Sequence, residues 1–159
     1  MTDNIFDIYE RWEEGIHQNN HFNAYGTHQP ILIEALKRTS GDVIELGTGD
    51  FSTPQLHKLC KNSNRKLVSI DTDEQWLNRY RNLENKNHKI ILQNKFEKYH
   101  WDCPLLFKKY GLALVDNAPG ESRVSNIRKL KTKTDVILAH DSQELGYPIL
   151  THQLYHLEP

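Results

Sequence analysis

Five short apolar runs punctuate this chain: DVIEL at 42–46, KLVSI at 66–70, HKIIL at 88–92, GLALV at 111–115 and DVILA at 135–139. Between successive runs lies enough sequence for a helix. Strands joined by crossovers of that length pair in parallel through right-handed βαβ units and are covered by helices on both faces. The expected architecture is a doubly wound α/β domain with a parallel sheet. In such sheets ligands gather beyond the carboxyl ends of the strands, near the point where strand order reverses. The residues just after each run are therefore the ones to inspect for chemistry.

The intervening segments carry their own start and stop signals. Pro30 sits where a first-turn proline belongs, and Gly41 is a C-terminal stop for the helix between them. Thr53 and Pro54 read as cap and first turn of the next helix, QLHKLC. Thr72 and Gln75 are spaced as a capping box for a helix running to Leu83, and ESRVSNIRKL at 121–130 is another. Ile5, Tyr9, Trp12 and Ile16 recur at helical spacing, so 1–29 divides into an amphipathic helix and a polar connection. The sheet core then spans 30–141, and 142–159 is expected to close the chain with a turn and a helix.

With 159 residues and no linker or repeat, one domain is expected. Twenty basic and twenty-one acidic residues nearly cancel, and no basic stripe favours nucleic acid. No apolar run is long enough to cross a bilayer, and the start of the chain is not a signal region. Cys60 and Cys103 lack metal-type spacing and read as free thiols in a reducing, cytoplasmic setting. Among nine histidines, His152 and His156 stand four apart, at helical spacing.

The first strand runs into Gly47-Thr48-Gly49, where two glycines permit a tight turn and close approach to a ligand. Ser52 and Thr53 follow at a helix N-terminus, which favours negative charge. No Gly-Lys-Ser/Thr follows, so this is not a Walker loop, and a dinucleotide fingerprint would want its third glycine at Ser52. Asp71, directly after the second strand, stands where an acid accepts hydrogen bonds from ribose hydroxyls; the other reading of Asp71 and Asp73 is a helix cap.

VIELGTGDFSTPQL, LVSIDTDEQW, ALVDNAPGESRVSNIRKL and DVILAHD, in that order, resemble class I S-adenosylmethionine-dependent methyltransferases. More narrowly they are similar to short small-molecule or sugar O-methyltransferases with an Asp after strand four and a His-Asp after strand five. The resemblance implies strand order 3-2-1-4-5. It also places Glu45, Gly47 and Gly49 along the methionine part of the cofactor, Asp71 on the ribose and Asn94 near the adenine. Thr48, Phe51, Ser52, Thr53 and Thr72 in the same strand-end loops, with Asp116, complete the expected cofactor set. Phe51 stands where many members have a third glycine.

Methyl transfer to oxygen needs alignment and benefits from a base or a Lewis acid. His140 is the candidate base, alongside the reading of a packed histidine. Asp116 and Asp141 end adjacent strands about 4.8 Å apart and are expected either to converge on Mg2+ or to organise a turn and a helix cap. Arg123 is expected to clamp an acidic group of the substrate, or to pair with Glu121, while His28 belongs to a polar mouth suited to a sugar or similar acceptor.

The family usually continues with two more strands, which this chain has little room for. A five-stranded sheet is therefore expected, its open edge covered either by the segment Tyr147 to Glu158 folding over it or by a second subunit, with a homodimer as the expectation. The reading from a different class is a non-catalytic domain of this fold that binds a nucleoside or a partner protein. A nicotinamide oxidoreductase is disfavoured, because so short a chain has no substrate domain.

Overall fold

The structure, a computed structural model, describes residues 26, 28–93, 103–141 and 153–156. Helix α1 spans Gln29–Arg38, with Pro30 in its first turn as expected. It is followed by β1 (Val43–Leu46), α2 (Thr53–Asn62), β2 (Leu67–Asp71), α3 (Glu74–Asn78) and β3 (His88–Leu92). Then come β4 (Tyr110–Val115), α4 (Glu121–Leu130), β5 (Thr134–Ala139) and β6 (Gln153–His156). The first five strands are parallel and lie in the order β3-β2-β1-β4-β5. That is the doubly wound sheet expected from the alternating runs.

Alternate residues of these strands feed two apolar layers. Val43, Leu67, Leu112, Leu114, Val136 and Leu138 face one way, onto Leu32, Ala35 and Leu36 of α1 and Leu56 and Cys60 of α2. Ile44, Leu46, Ile70, Ala113, Val115 and Ile137 face the other way, onto Leu130 of α4 and onto Leu106. Both faces of the central strands are buried, which is why these runs read as continuously apolar. Each fully buried Leu or Ile contributes about 1.5–3 kcal/mol from area removed from water. Arg65 ties the turn after α1 by donating to the carbonyls of Leu36, Thr39 and Gly41, the last with φ at +82°.

Three local expectations are corrected. At the C-terminus, Gln153–His156 is a strand rather than part of a helix, and it pairs antiparallel with β5. The reason is long-range: β5 offers an unpaired row of backbone groups, and strand pairing satisfies them. Of the two covers expected for this edge, the chain's own 147–158 segment supplies one, through Gln153–His156. At α3, Asp73 rather than Thr72 is the cap, its carboxylate accepting from Trp76 N at 3.0 Å, and the helix stops at Asn78. At α2, Ser52 holds the cap position, and the Thr53 hydroxyl is used elsewhere. The amphipathic segment at 5–16, Asn94 and His152 lie outside the described residues.

Candidate active site

The turn after β1 is braced from below and from both sides. Gly47 has φ +89°, and a Cβ there would run into the backbone carbonyl of Asp116. Glycine is required by the turn and by that approach together. Gly47 N bonds Ile70 O at 2.8 Å and Asp116 N bonds Leu46 O at 2.7 Å, so the ends of β2, β1 and β4 are stitched side by side.

Beneath the turn lies Glu45, with none of its surface exposed. The Thr53 hydroxyl accepts from Gly49 N at 2.9 Å and points its proton at the Glu45 carboxylate, 3.0 Å from Oε1. Ser69 donates to Glu45 Oε2 at 2.5 Å. Burial raises the Glu45 carboxyl to about 7; hydrogen bonds from Ser52, Ser69 and Thr53 restrain the rise, and the charge of Asp116 adds to it. Glu45 thus supports the loop rather than lining the cleft.

A hydroxyl has one proton, so Ser69, having donated to Glu45, must accept from His88 Nε2 at 2.9 Å. His88 Nδ1 then accepts from His57 Nδ1 at 3.0 Å; this tautomer is assigned from the network. Desolvation, with the nearby His57, lowers His88 to about 4, which keeps it neutral as the network requires.

Asp71 projects from the end of β2 as expected, but its carboxylate is well used. Oδ2 accepts from Thr48 N and Thr48 Oγ1 at 2.7 and 2.8 Å, and Oδ1 accepts from Thr72 N and Asp73 N at 2.7 and 2.9 Å. It joins the two loops that were expected to meet a nucleoside. Two residues that sequence reasoning missed flank them. Trp76 donates from its indole to Thr48 O at 2.6 Å, and Asp50 accepts from Arg79 at 2.9 Å and from Tyr80 Oη at 2.8 Å. The Arg79 guanidinium stacks 4.1 Å from the Trp76 ring. An exposed Trp five residues after a strand-end acid was the signal available for this wall.

Across the turn stands a second cluster, at the ends of β4 and β5. Arg123 is buried, donating from Nε to Asn117 O at 2.9 Å and from Nη1 to His140 O at 2.7 Å. Its Nη2 pairs with Asp116 Oδ1 at 3.1 Å, and Nη1 lies 3.8 Å from Asp141 Oδ2. His140 Nδ1 is 3.2 Å from the same Asp116 oxygen and 3.4 Å from Asp141. Burial alone would lower the His140 value, but the hydrogen bond to Asp116 and the charges of Asp116 and Asp141 outweigh it and leave it raised. The Ala118–Pro119 peptide is cis, and the Ser122 hydroxyl donates to Pro119 O at 2.8 Å, closing the loop that carries Asp116.

The guanidinium thus contacts both carboxylates expected to hold Mg2+. A hard dication needs a near-complete shell of oxygens, and here the guanidinium takes up the space between the two acids that would have to share the ion. Asp116 and Asp141 as placed do not fit that ion. Arg123, expected to face substrate, spends its donors inside the protein. His28, expected at the mouth, packs edge-on against His140 with ring centroids 4.7 Å apart.

Between the two clusters opens a cavity of about 600 Å³ lined by His28, Thr48, Gly49, Asp50, Phe51, Ser52, Trp76 and Asp116. That volume suits a nucleoside-sized ligand. Gln29 steadies its rim by donating to Phe51 O at 2.8 Å. Among the described residues, no helix is long and apolar enough to cross a membrane.

This sheet order and strand-end cleft define the class I methyltransferase fold. Solved structures with it include a proposed caffeoyl-CoA O-methyltransferase from Staphylococcus aureus, 14% identical with TM-score 0.54, the match covering 87% of this chain and 71% of that one. A proposed O-methyltransferase from Klebsiella pneumoniae is 14% identical with TM-score 0.55, covering 94% and 72%. The SAH-bound methyltransferase PaMTH1 of Podospora anserina is 12% identical with TM-score 0.55, covering 92% and 65%. No family model matches the sequence, and no curated protein matches it.

Proposed function

We propose that this chain is an S-adenosylmethionine-dependent methyltransferase acting on a hydroxyl of a polar small molecule such as a sugar. The observation that carries this reading is one cavity with the glycine turn on one wall and Asp116, backed by His140 and Arg123, on another. The sulfonium cosubstrate supplies an electrophilic methyl group, so the protein has to align two reactants and receive one proton. Arg123 and His140 both engage Asp116 Oδ1, which leaves Oδ2 for the acceptor hydroxyl. The proton passes to the Asp116–His140 pair as the oxygen takes the methyl group. Thr48, Gly49 and Ser52 hold the donor, with Trp76 as an aromatic wall. The polar mouth at His28, Thr48, Asp50 and Ser52 favours a hydrophilic acceptor.

One observation favours the non-catalytic alternative. Asp71 already receives four hydrogen bonds from within the protein, so the loop is stable without a ribose. The test is a thermal-shift screen with S-adenosylmethionine, S-adenosylhomocysteine and nicotinamide dinucleotides, followed by a methyl-transfer assay on polyhydroxylated acceptors. A shift with the sulfur nucleosides and turnover support the enzyme. A shift without turnover on any acceptor favours the binding domain, and no shift with either sulfur nucleoside sinks both cofactor readings.

A further inference from the structure

Asp116 has a second set of neighbours on the cleft side. One ring nitrogen each from His28 and His140 and one carboxylate oxygen of Asp116 all lie within 4.8 Å of one another. Both imidazoles are buried, at 4% and 5% exposure, whereas the Asp116 side chain keeps 26%. Two nitrogens and one oxygen bound to a common ion sit roughly 3.3 Å apart, given metal–ligand distances of about 2.0–2.2 Å. Small side-chain rotations close the remaining gap.

We propose that His28, Asp116 and His140 form a three-ligand site for a divalent transition ion of the Zn2+ or Co2+ type. Two imidazoles and one carboxylate suit such an ion and not Mg2+, which prefers an all-oxygen shell. Arg123 takes the role of an outer partner: held by Asn117 O and His140 O, it fixes Asp116 through Oδ1 and leaves Oδ2 to ligate. Asp141, against His140 and Arg123, offsets part of the added charge. His28 and Asp116 both line the cleft, so the fourth position of the ion opens into it. Three protein ligands with one open position is the arrangement of a catalytic site rather than a structural one. An ion there polarises a bound hydroxyl or water, a task the Asp116–His140 pair otherwise performs. The site stands on its donor atoms, whether or not the cleft transfers methyl groups.

The test is a Co2+ titration of the EDTA-treated protein, followed by its visible absorption, with Zn2+ calorimetry alongside. One equivalent is expected to give the intense bands of a four- or five-coordinate ion, and His28→Ala and His140→Gln each to weaken binding about tenfold or more. Circular dichroism and the S-adenosylhomocysteine thermal shift, read on the same samples, report folding and the cleft separately from the metal. His28→Ala, which leaves both β-strand ends untouched, keeps the test valid if the His140 variant misfolds. An unchanged aquo-ion spectrum overturns the proposal. So does displacement of Co2+ by millimolar Mg2+, or loss of binding in His57→Ala rather than His28→Ala, the pair His57–His88 being the competing imidazoles.

Discussion

Thr53 directs its hydroxyl proton at Glu45, 3.0 Å away, and with the same oxygen accepts from Gly49 N at 2.9 Å. One buried hydroxyl thereby couples a sealed carboxyl to the turn that forms one wall of the cleft.

Replacing Thr53 with valine keeps the shape and removes both bonds. Gly49 N and Glu45 each lose a buried partner, at a cost of about 1–3 kcal/mol. Urea denaturation is expected to show that loss, and S-adenosylhomocysteine affinity to fall with it. Unaltered stability and affinity would show the turn to be held by Asp71 alone.

Glu45 predicts a pH dependence. Its carboxyl is held at about 7 in the folded chain against 4.5 when solvated, so between those values the folded state binds the extra proton. Stability from this group is fully present below about pH 4.5 and lost as pH rises through about 7, a span worth about 3 kcal/mol. Glu45→Gln removes the titration. Stability measured at pH 5, 6 and 7.5 is expected to decline more steeply in the wild type than in the variant; parallel profiles would refute this.

Arg123→Ala leaves Asp116 with His140 alone and two carbonyls without donors. Each lost hydrogen bond from a charged donor costs about 1.5–3 kcal/mol. Arg123→Lys restores charge but not the forked geometry, and is expected to keep the fold while lowering kcat more than cosubstrate affinity. A rise in acceptor KM alone would instead return Arg123 to direct substrate contact.

Trp76→Ala removes an aromatic wall of the cleft and its bond to Thr48 O, and about a tenfold weaker grip on S-adenosylhomocysteine is expected by calorimetry. Trp76→Phe loses only the bond and is expected to fall between. Equal affinity in all three would remove Trp76 from the site.

What could be read in the sequence follows from the range of the forces involved. The central strands were legible because burial on both faces makes their runs apolar, and α1 because Pro30 marks a local start. β6 was not, since Gln153–His156 becomes a strand only through its pairing with β5. That Asp116 and Asp141 end neighbouring strands was legible, but the pairing of Asp116 with His140 was not, and the inward turn of Arg123 depends on carbonyls contributed by two separate loops. His28 likewise reaches His140 only through the fold. The acids of the strand-end loops were found by position; that Asp71 and Glu45 serve the loops' own architecture is a matter of hydrogen-bond geometry that spacing does not encode.

The missing side chain at Gly47 has a wider consequence. With the Asp116 carbonyl filling that space, the donor-side loop and the acceptor-side acid touch main chain to main chain, at the end of the Leu46–Val115 register. Their separation is a property of the backbone, and under the methyl transfer proposed above it would act as a built-in gauge for in-line attack. Side chains around the mouth can then diverge without altering that spacing.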